Sequence, residues 1–261
     1  MRYKAVISYD GTKYVGWQRQ KNGLSIQEVL ETAMQKVFGC EVECTASGRT
    51  DAGVHAEGQV IHFEVETGIP ADKIPFSVNN CLPEDISMLA CEVAPKGFNA
   101  RFSAKRKTYR YSIYYSRFPL PMLEHTHYRS AVPMNVDAMK EAATKLVGTH
   151  DFKCFMAAGS NIKDKTYRTM YSVDVESKDN VVTITVCGNG FLYNMVRIMA
   201  GTLYYVGIGK LTPKDVGRIV AQKDRTAAGK TLPAKGLCLV SVEYDDGEQN
   251  ASEDSLSGNN E

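Results

Sequence analysis

One segment, residues 191–206, restricts what this chain can fold into. It reads FLYNMVRIMAGTLYYV, and its spacing predicts a helix that is apolar on nearly every face. Such a helix must be buried among other layers, because any exposed side would leave apolar surface in water. The chain therefore needs a sizeable core, as one large domain or two smaller ones. Its 261 residues, 43% of them hydrophobic, can supply one.

Arg197 stands in the middle of this apolar segment. An unpaired guanidinium in such surroundings is very costly, so Arg197 predicts a carboxylate partner from elsewhere in the fold. A guanidinium beside an aspartate would lower the pKa of that aspartate by about 1–3 units and keep it an anion. An ordinary interior ion pair with some other acid is the alternative that the sequence leaves open.

A glycine-rich motif offers a suitable acid. Residues 47–60 read SGRTDAGVHAEGQV, with three glycines in fourteen positions, which is typical of a backbone held in tight turns. Arg49 and Asp51 lie two residues apart in it. On a rigid turn Asp51 can act chemically while Arg49 orients a phosphate or ribose. Equally, Thr50 and Asp51 can cap a turn beside a solvated Arg49.

A basic and aromatic stretch follows at 96–118, KGFNARFSAKRKTYRYSIYYSRF. It carries seven bases, seven aromatic residues and no acid. Basic side chains bind phosphates and aromatic faces stack on unpaired bases, so the stretch predicts RNA contact. It also reads as a strand that turns one face into the core, and both interpretations can hold together. The residues for that buried face are Tyr109, Tyr111, Ile113 and Tyr115, and the basic candidates for RNA contact are Arg101, Lys105, Arg106, Lys107 and Arg110.

The remaining pattern is that of an α+β protein. Helices are predicted at 25–38, where Ser25 and Glu28 form a capping box, and at 135–147 and 212–222. Strands outnumber helices, which favours a mixed, mostly antiparallel sheet flanked by helices. Two halves, 1–104 and 105–244, precede a tail at 245–261. Strands are predicted at 2–11, 40–47, 58–66, 85–94, 105–117, 166–176, 181–187 and 237–244.

The charge is unevenly distributed along the chain. Its net value of +1 alone argues against RNA binding, but six of the 30 acids lie in 245–261, which holds no base. The 31 lysines and arginines thus face 24 acids in the rest of the chain, whose charge is +7. The body is therefore moderately basic, and the tail reads as a disordered acidic extension.

Several functional classes lack support in the sequence. Seven scattered cysteines without a CxxC predict reduced thiols. With no signal segment and no long apolar run, we expect a cytoplasmic protein without a membrane span. GIGKLT at 207–212 lacks the spacing of a phosphate-binding loop, and His125 and His127 have no neighbouring ligand cluster. We therefore expect neither a metal nor a nucleotide cofactor.

Six segments, in order, resemble the bacterial tRNA pseudouridine synthases that modify the anticodon arm. GRTDAGVHA at 48–56 is the most specific of them. The resemblance covers residues 1–244 and leaves only the acidic tail outside. The other segments are YDGTKYVGWQRQ at 9–20, NARFSAKRKTYRY at 99–111, LVGTHDFKCF at 146–155, NMVRIMAG at 194–201 and KDRTAAGKTLPAKGLCLVSVEY at 223–244.

The resemblance implies an isomerase that converts uridine to pseudouridine at tRNA positions 38–40, without a cofactor. It implies that Asp51 is the covalent nucleophile, that Arg197 pairs with it, that Arg49 acts from the same loop and that Tyr109 lies beside the target base. It also implies two similar α+β halves with the active cleft between them, and a homodimer that shares one tRNA.

These residue types suit that chemistry. The N1–C1′ bond must break and C5 must bond to C1′, and a carboxylate can hold one fragment by adding at C6 or at C1′. An RNA-binding module without catalysis stays an alternative, as does a relative acting at other tRNA positions. A glycosidase or glycosyltransferase would need a second carboxylate, and no partnered acid is evident.

Overall fold

The computed structural model describes residues 1–159 and 165–245. Five α-helices and ten strands lie within these ranges. The helices are α1 (Ile26–Phe38), α2 (Ile74–Asn79), α3 (Val136–Thr144), α4 (Met195–Gly207) and α5 (Pro213–Gln222). The strands are β1 (Arg2–Tyr9), β2 (Cys44–Ala46), β3 (His55–Glu64), β4 (Ile86–Val93), β5 (Ala104–Tyr115), β6 (Tyr128–Ser130), β7 (Gly148–Asp151), β8 (Tyr167–Lys178), β9 (Val181–Gly188) and β10 (Leu237–Tyr244).

All ten strands of the described ranges join one sheet in the order β4-β1-β3-β10-β5-β9-β8-β7, with β2 on β3 and β6 on β5. The pairs are antiparallel except β3–β10 and β5–β6. The last strand, β10, returns to lie between β3 and β5, where Cys238 pairs with His55. The predicted α+β class with a mostly antiparallel sheet is thus confirmed. The division at residue 105 stays a prediction.

The apolar segment forms α4, which packs against β5 and α3. Its helix begins at Met195, four residues later than expected, because Asn194 has a φ of 60° and cannot belong to a right-handed helix. A loop packs directly on this helix: a Cβ on Gly201 would lie 1.8 Å from the carbonyl oxygen of Lys230. This close approach fixes the loop that contacts Arg197.

Two details of the sequence prediction were wrong. The strand expected at 40–47 is only Cys44–Ala46, and Cys40 is exposed rather than on a buried face. In β5, Tyr115 is 37% exposed, while Tyr114 on the opposite face is buried. Tyr114 is covered because its hydroxyl reaches Glu124 and its ring meets His127.

The other helix predictions hold apart from their ends. In α1, Ser25 accepts a hydrogen bond from the backbone N–H of Glu28, which is one half of the predicted capping box; the return bond from the Glu28 side chain is not formed. Gly39 ends the helix with a φ of 72°. In α5, Thr212 and Asp215 form a capping box, with Pro213 at the start of the helix. Within residues 1–159 and 165–245 no helix is long and apolar enough to cross a membrane. All but the first residue of the predicted tail lies outside the described residues.

Candidate active site

A cleft of about 930 Å³ opens between the glycine-rich motif and the N-terminus of α4. Its lining residues come from both sides of residue 105, so both predicted halves of the chain contribute to the cleft. Among its lining residues are Trp17, Arg49, Asp51, Arg101, Phe102, Lys107, Tyr109, Tyr167, Arg168, Phe191, Tyr193 and Asn194.

The first loop of the chain contacts the turn that carries Asp51 and holds it in place. The N–H of Trp17 donates to the carbonyl of Thr50 at 3.1 Å, and the Thr50 hydroxyl lies 2.8 Å from the hydroxyl of Tyr9. Gly16 has a φ of 104°, and a Cβ there would lie 2.7 Å from the Thr50 oxygen. Only glycine fits this approach, which places the turn directly on the core.

The start of the motif is held from the other side. The Gln59 amide donates to the Gly48 carbonyl at 2.9 Å and accepts from the Ser47 hydroxyl at 2.7 Å. Lys107 Nζ donates to the Ser47 carbonyl at 2.6 Å. Because the turn is fixed at both ends, the Asp51 carboxylate is presented to the cleft on a rigid support.

Arg197, which lies behind the residues that line the cleft, contacts this carboxylate. Its Nη1 lies 3.4 Å from Asp51 Oδ2 and 2.7 Å from Asn194 Oδ1, while its Nε donates to the Leu232 carbonyl at 2.7 Å. The side chain of Arg197 is 17% exposed and that of Asp51 is 34% exposed. The carboxylate partner expected for Arg197 is therefore present, in a mostly desolvated pair that opens to the cleft.

The expected lowering of the Asp51 pKa was wrong. Burial raises the pKa of Asp51, and the charge and hydrogen bond of Arg197 offset this only in part. The physical reason is the long, single contact between Asp51 and a guanidinium whose shorter hydrogen bonds go to Asn194 and Leu232. The anion is held less tightly than in a bidentate ion pair, which leaves it more basic and more nucleophilic.

Tyr109 projects from the middle of β5 into the wall of the same cleft. Its ring is 9% exposed and meets the Phe191 ring edge-on, with centroids 5.0 Å apart. Burial raises the pKa of Tyr109, and the nearby Tyr9 and Asp51 raise it further. The phenol is therefore protonated at neutral pH and can donate a hydrogen bond from this position.

The basic residues predicted to contact RNA divide into two sets. Arg49, Arg101 and Lys107 line the cleft. Three others lie outside its lining and face acids: Lys105 pairs with Asp245 at 2.7 Å, Arg106 lies 4.0 Å from Glu243, and Arg110 pairs with Glu57. The alternation of β5 accounts for Arg106 and Arg110, because they point to the sheet face opposite Lys107 and Tyr109.

Lys107 has an unusual environment for a cleft lysine. Burial lowers the pKa of Lys107 to about 8, with a further contribution from the Arg101 cation. Keeping the Lys107 ammonium charged at neutral pH thus costs desolvation free energy, although it donates a hydrogen bond to the Ser47 carbonyl. An anion that enters the cleft would offset this cost.

Sequence reasoning missed the residues that complete the wall. Asn194 orients Arg197, Phe191 supports Tyr109, and Tyr167 and Arg168 line the far side. The asparagine directly before the apolar helix was a usable signal, because asparagine tolerates the left-handed conformation better than most residues. In the described ranges no group of three or more His, Cys, Asp or Glu side chains is arranged to hold a metal ion.

The chain matches known proteins over nearly its whole length. A family profile described as tRNA pseudouridine synthase matches residues 5–103 and 142–245. The chain is 46% identical over 239 residues to a tRNA pseudouridine synthase A of Thermoanaerobacter sp. (strain X514), covering 92% of this chain and 98% of the relative. It is 45% identical over 247 residues to tRNA pseudouridine synthase A of Bacillus subtilis (strain 168), covering 94% of this chain and all of the relative.

One solved structure, a crystal structure of a Cbf5-Nop10-Gar1 complex, resembles the chain weakly. The TM-score is 0.35 and the identity 13%, over 91% of this chain and 48% of that chain, so the present chain spans about half its length. A likeness of this size adds nothing to the family assignment.

Proposed function

The chain belongs to the tRNA pseudouridine synthase family, and from this premise we propose that it isomerises uridine to pseudouridine in the anticodon arm of tRNA, with Asp51 as the covalent nucleophile. The observation that carries the proposal is the Asp51 carboxylate. It stands on a rigid turn at the floor of a cleft of about 930 Å³, 3.4 Å from a guanidinium. A cleft of this size is large enough for a flipped nucleotide.

The reaction needs a nucleophile and no redox partner. In one route the Asp51 carboxylate attacks C1′, the N1–C1′ electron pair leaves with the uracil, and C5 of the rotated base then displaces the carboxylate. In the other route the carboxylate adds at C6, the N1–C1′ bond breaks, the base rotates, C5 bonds to C1′, and the carboxylate then leaves C6. In both routes C5 loses a proton and N1 gains one, so the product is an isomer of the substrate.

Three neighbours support this role for Asp51. Arg197 lowers the pKa of the carboxylate and so opposes the effect of its burial. Tyr109 stacks on the target base and its hydroxyl assists the transfer of the C5 proton. A phenol is neutral at physiological pH at its ordinary pKa of 10.0, and burial raises the pKa of Tyr109 further. Arg49, exposed in the same turn, holds the flipped geometry through phosphate or ribose contacts. The uridine must leave its stack to reach them, which costs about a few kcal/mol.

Arg101 and Lys107 supply phosphate contacts within the cleft. Lys105, Arg106 and Arg110 can contact only tRNA phosphates outside the cleft. There each phosphate would compete with the acid that already faces the basic side chain. The family resemblance further predicts a homodimer in the cytoplasm that binds one tRNA.

The proposal is tested by locating the product. Unmodified tRNA transcripts with a uridine at position 38, 39 or 40, and matched transcripts with cytidine at the same position, are incubated with the protein and mapped by mass spectrometry after chemical labelling of pseudouridine. We expect pseudouridine only where position 38, 39 or 40 is uridine. Product confined to another arm of the tRNA would refute the site assignment.

A binding protein without catalysis is the second candidate, because Arg101 and Lys107 alone suffice for RNA contact. It predicts tight binding of the transcripts and no pseudouridine at any position. The buried pair of Asp51 and Arg197 argues against it, since a cleft built only for binding gains nothing from a partly desolvated carboxylate that repels phosphate.

A further inference from the structure

The rim of the cleft carries an aromatic ring that the family chemistry leaves unused. Phe102 is 80% exposed, more than any other aromatic side chain of the described residues, and it lines the cleft together with Arg101. The Arg101 guanidinium lies 5.6 Å from the centre of its ring. Phenylalanine has no polar atom, so this ring gains nothing from water and remains available for a partner.

The backbone beneath the ring is unusually well fixed for an exposed turn. The Asn99 side chain accepts from the N–H groups of Arg101 at 2.9 Å and Phe102 at 3.1 Å. Ser103 closes the turn, because its N–H donates to the Asn99 carbonyl at 2.9 Å and its hydroxyl accepts from the Asn99 N–H at 3.1 Å.

The centre of the turn is anchored in the core. Ala100 is fully buried, its N–H donates to His62 Nδ1 at 3.1 Å, and its carbonyl accepts from the Tyr244 hydroxyl at 2.7 Å. A turn tied by six hydrogen bonds therefore presents one apolar ring and one cation outward. This rigidity is expected if the turn presents the ring to a partner, and it is not required if the ring is only exposed to solvent.

We propose that Phe102 is a stacking platform for a nucleobase next to the target uridine, with Arg101 on the phosphate that flanks it. This inference rests on the proposed function. A uridine that leaves its stack to reach Asp51 leaves a neighbouring base without one of its stacking partners. An aromatic ring at the cleft rim replaces that partner, and its stacking holds the strand open while the uridine occupies the floor.

The surroundings favour a nucleic acid over a protein as the occupant. Four cations line the cleft together with the ring, against two carboxylates: Arg49, Arg101, Lys107 and Arg168, against Glu43 and Asp51. The cations repel a basic partner and match a chain of phosphates, while the ring accepts the face of any base. The platform therefore contributes binding energy without selecting a base.

The test compares Phe102→Ala with three other variants. Phe102→Trp keeps an aromatic face, Phe102→Leu keeps apolar bulk without one, and Phe76→Ala is the matched control. Phe76 is 68% exposed, has the Lys73 ammonium 5.5 Å from its ring, and lies outside the cleft lining. The substrate is a tRNA transcript tritiated at C5 of uridine, because pseudouridine formation releases that hydrogen.

We expect Phe102→Ala to lower kcat/KM by roughly 5- to 150-fold, mainly through KM. Phe102→Trp is expected to recover most of this loss, Phe102→Leu little of it, and Phe76→Ala to match the wild type. The melting temperature of Phe102→Ala should stay unchanged, because the removed ring is exposed.

Three results would overturn the inference: equal kinetics for Phe102→Ala and Phe76→Ala, recovery by leucine as complete as by tryptophan, or a changed oligomeric state of Phe102→Ala in light scattering. The proposed function fails separately, if the wild type releases no tritium. The affinities of Phe102→Ala and Phe76→Ala for the same transcript then still decide whether the ring contacts RNA.

Discussion

Lys107 couples tRNA binding to pH in a way that can be measured. Burial lowers its pKa to about 8 from an ordinary value of 10.5, so Lys107 is charged at pH 7 and loses its charge as the pH rises through 8. If Lys107 contacts a phosphate in the cleft, binding requires the charged form. At pH 9 only about one molecule in ten carries that charge before binding, and the apparent Kd rises roughly tenfold between pH 7 and 9.

The assay is equilibrium binding of an unmodified tRNA transcript at constant ionic strength from pH 7 to 9. Wild type is compared with Lys107→Met, which has no charge to lose, so that titration of RNA bases and of other side chains cancels in the ratio of the two Kd values. We expect Lys107→Met to bind more weakly at pH 7 and the two proteins to converge by pH 9. A ratio of Kd values that stays constant over this range would refute the proposal that a charged Lys107, with its lowered pKa, contacts a phosphate.

Three further substitutions test the support of the site. Gly16→Ala is expected to destabilise the protein by about 1–3 kcal/mol and to lower kcat, because φ is 104° and the new Cβ meets Thr50; thermal unfolding and tritium release check this. Arg197→Met removes the cation that offsets the burial of Asp51, so the acid limb of the pH–kcat/KM profile should move to higher pH; an unmoved limb would mean that another group titrates. Tyr109→Phe keeps the ring and should lower kcat by about 10²-fold or more with little change in KM, whereas an unchanged rate would exclude a proton role for the hydroxyl.

The sequence was informative where a local pattern determines the outcome. The capping residues of α1 and α5 predicted those helices to within a residue, whereas the alternation at 40–47 predicted a strand of which only Cys44–Ala46 forms. Arg197 was informative for a different reason: a guanidinium inside an apolar helix needs a partner whatever the fold, and Asp51 on its glycine-rich turn was the best candidate. The α+β class followed from counting such elements.

What the sequence could not provide depends on distance and competition in three dimensions. The pKa of Asp51 depends on the balance between burial and an ion pair, and the 3.4 Å length of that pair is set by Asn194 and Leu232. The division of the basic stretch between cleft and opposite face depends on the strand register, which also gives Arg110 its acid. Neither the pKa of Asp51 nor the strand register can be derived from a local sequence pattern.

Single-turnover kinetics of wild type and Asp51→Asn test whether Asp51 forms a covalent bond with the substrate. Asparagine keeps the shape of the side chain but leaves Arg197 without its anionic partner, so thermal unfolding of the variant is measured first to establish that it is folded. It should also bind the tRNA transcript. With Asp51 as the covalent nucleophile, pseudouridine formation should fall by at least about 10⁴-fold in this bound, folded variant. Pseudouridine formed by Asp51→Asn at a rate near that of the wild type would show that Asp51 is not the nucleophile.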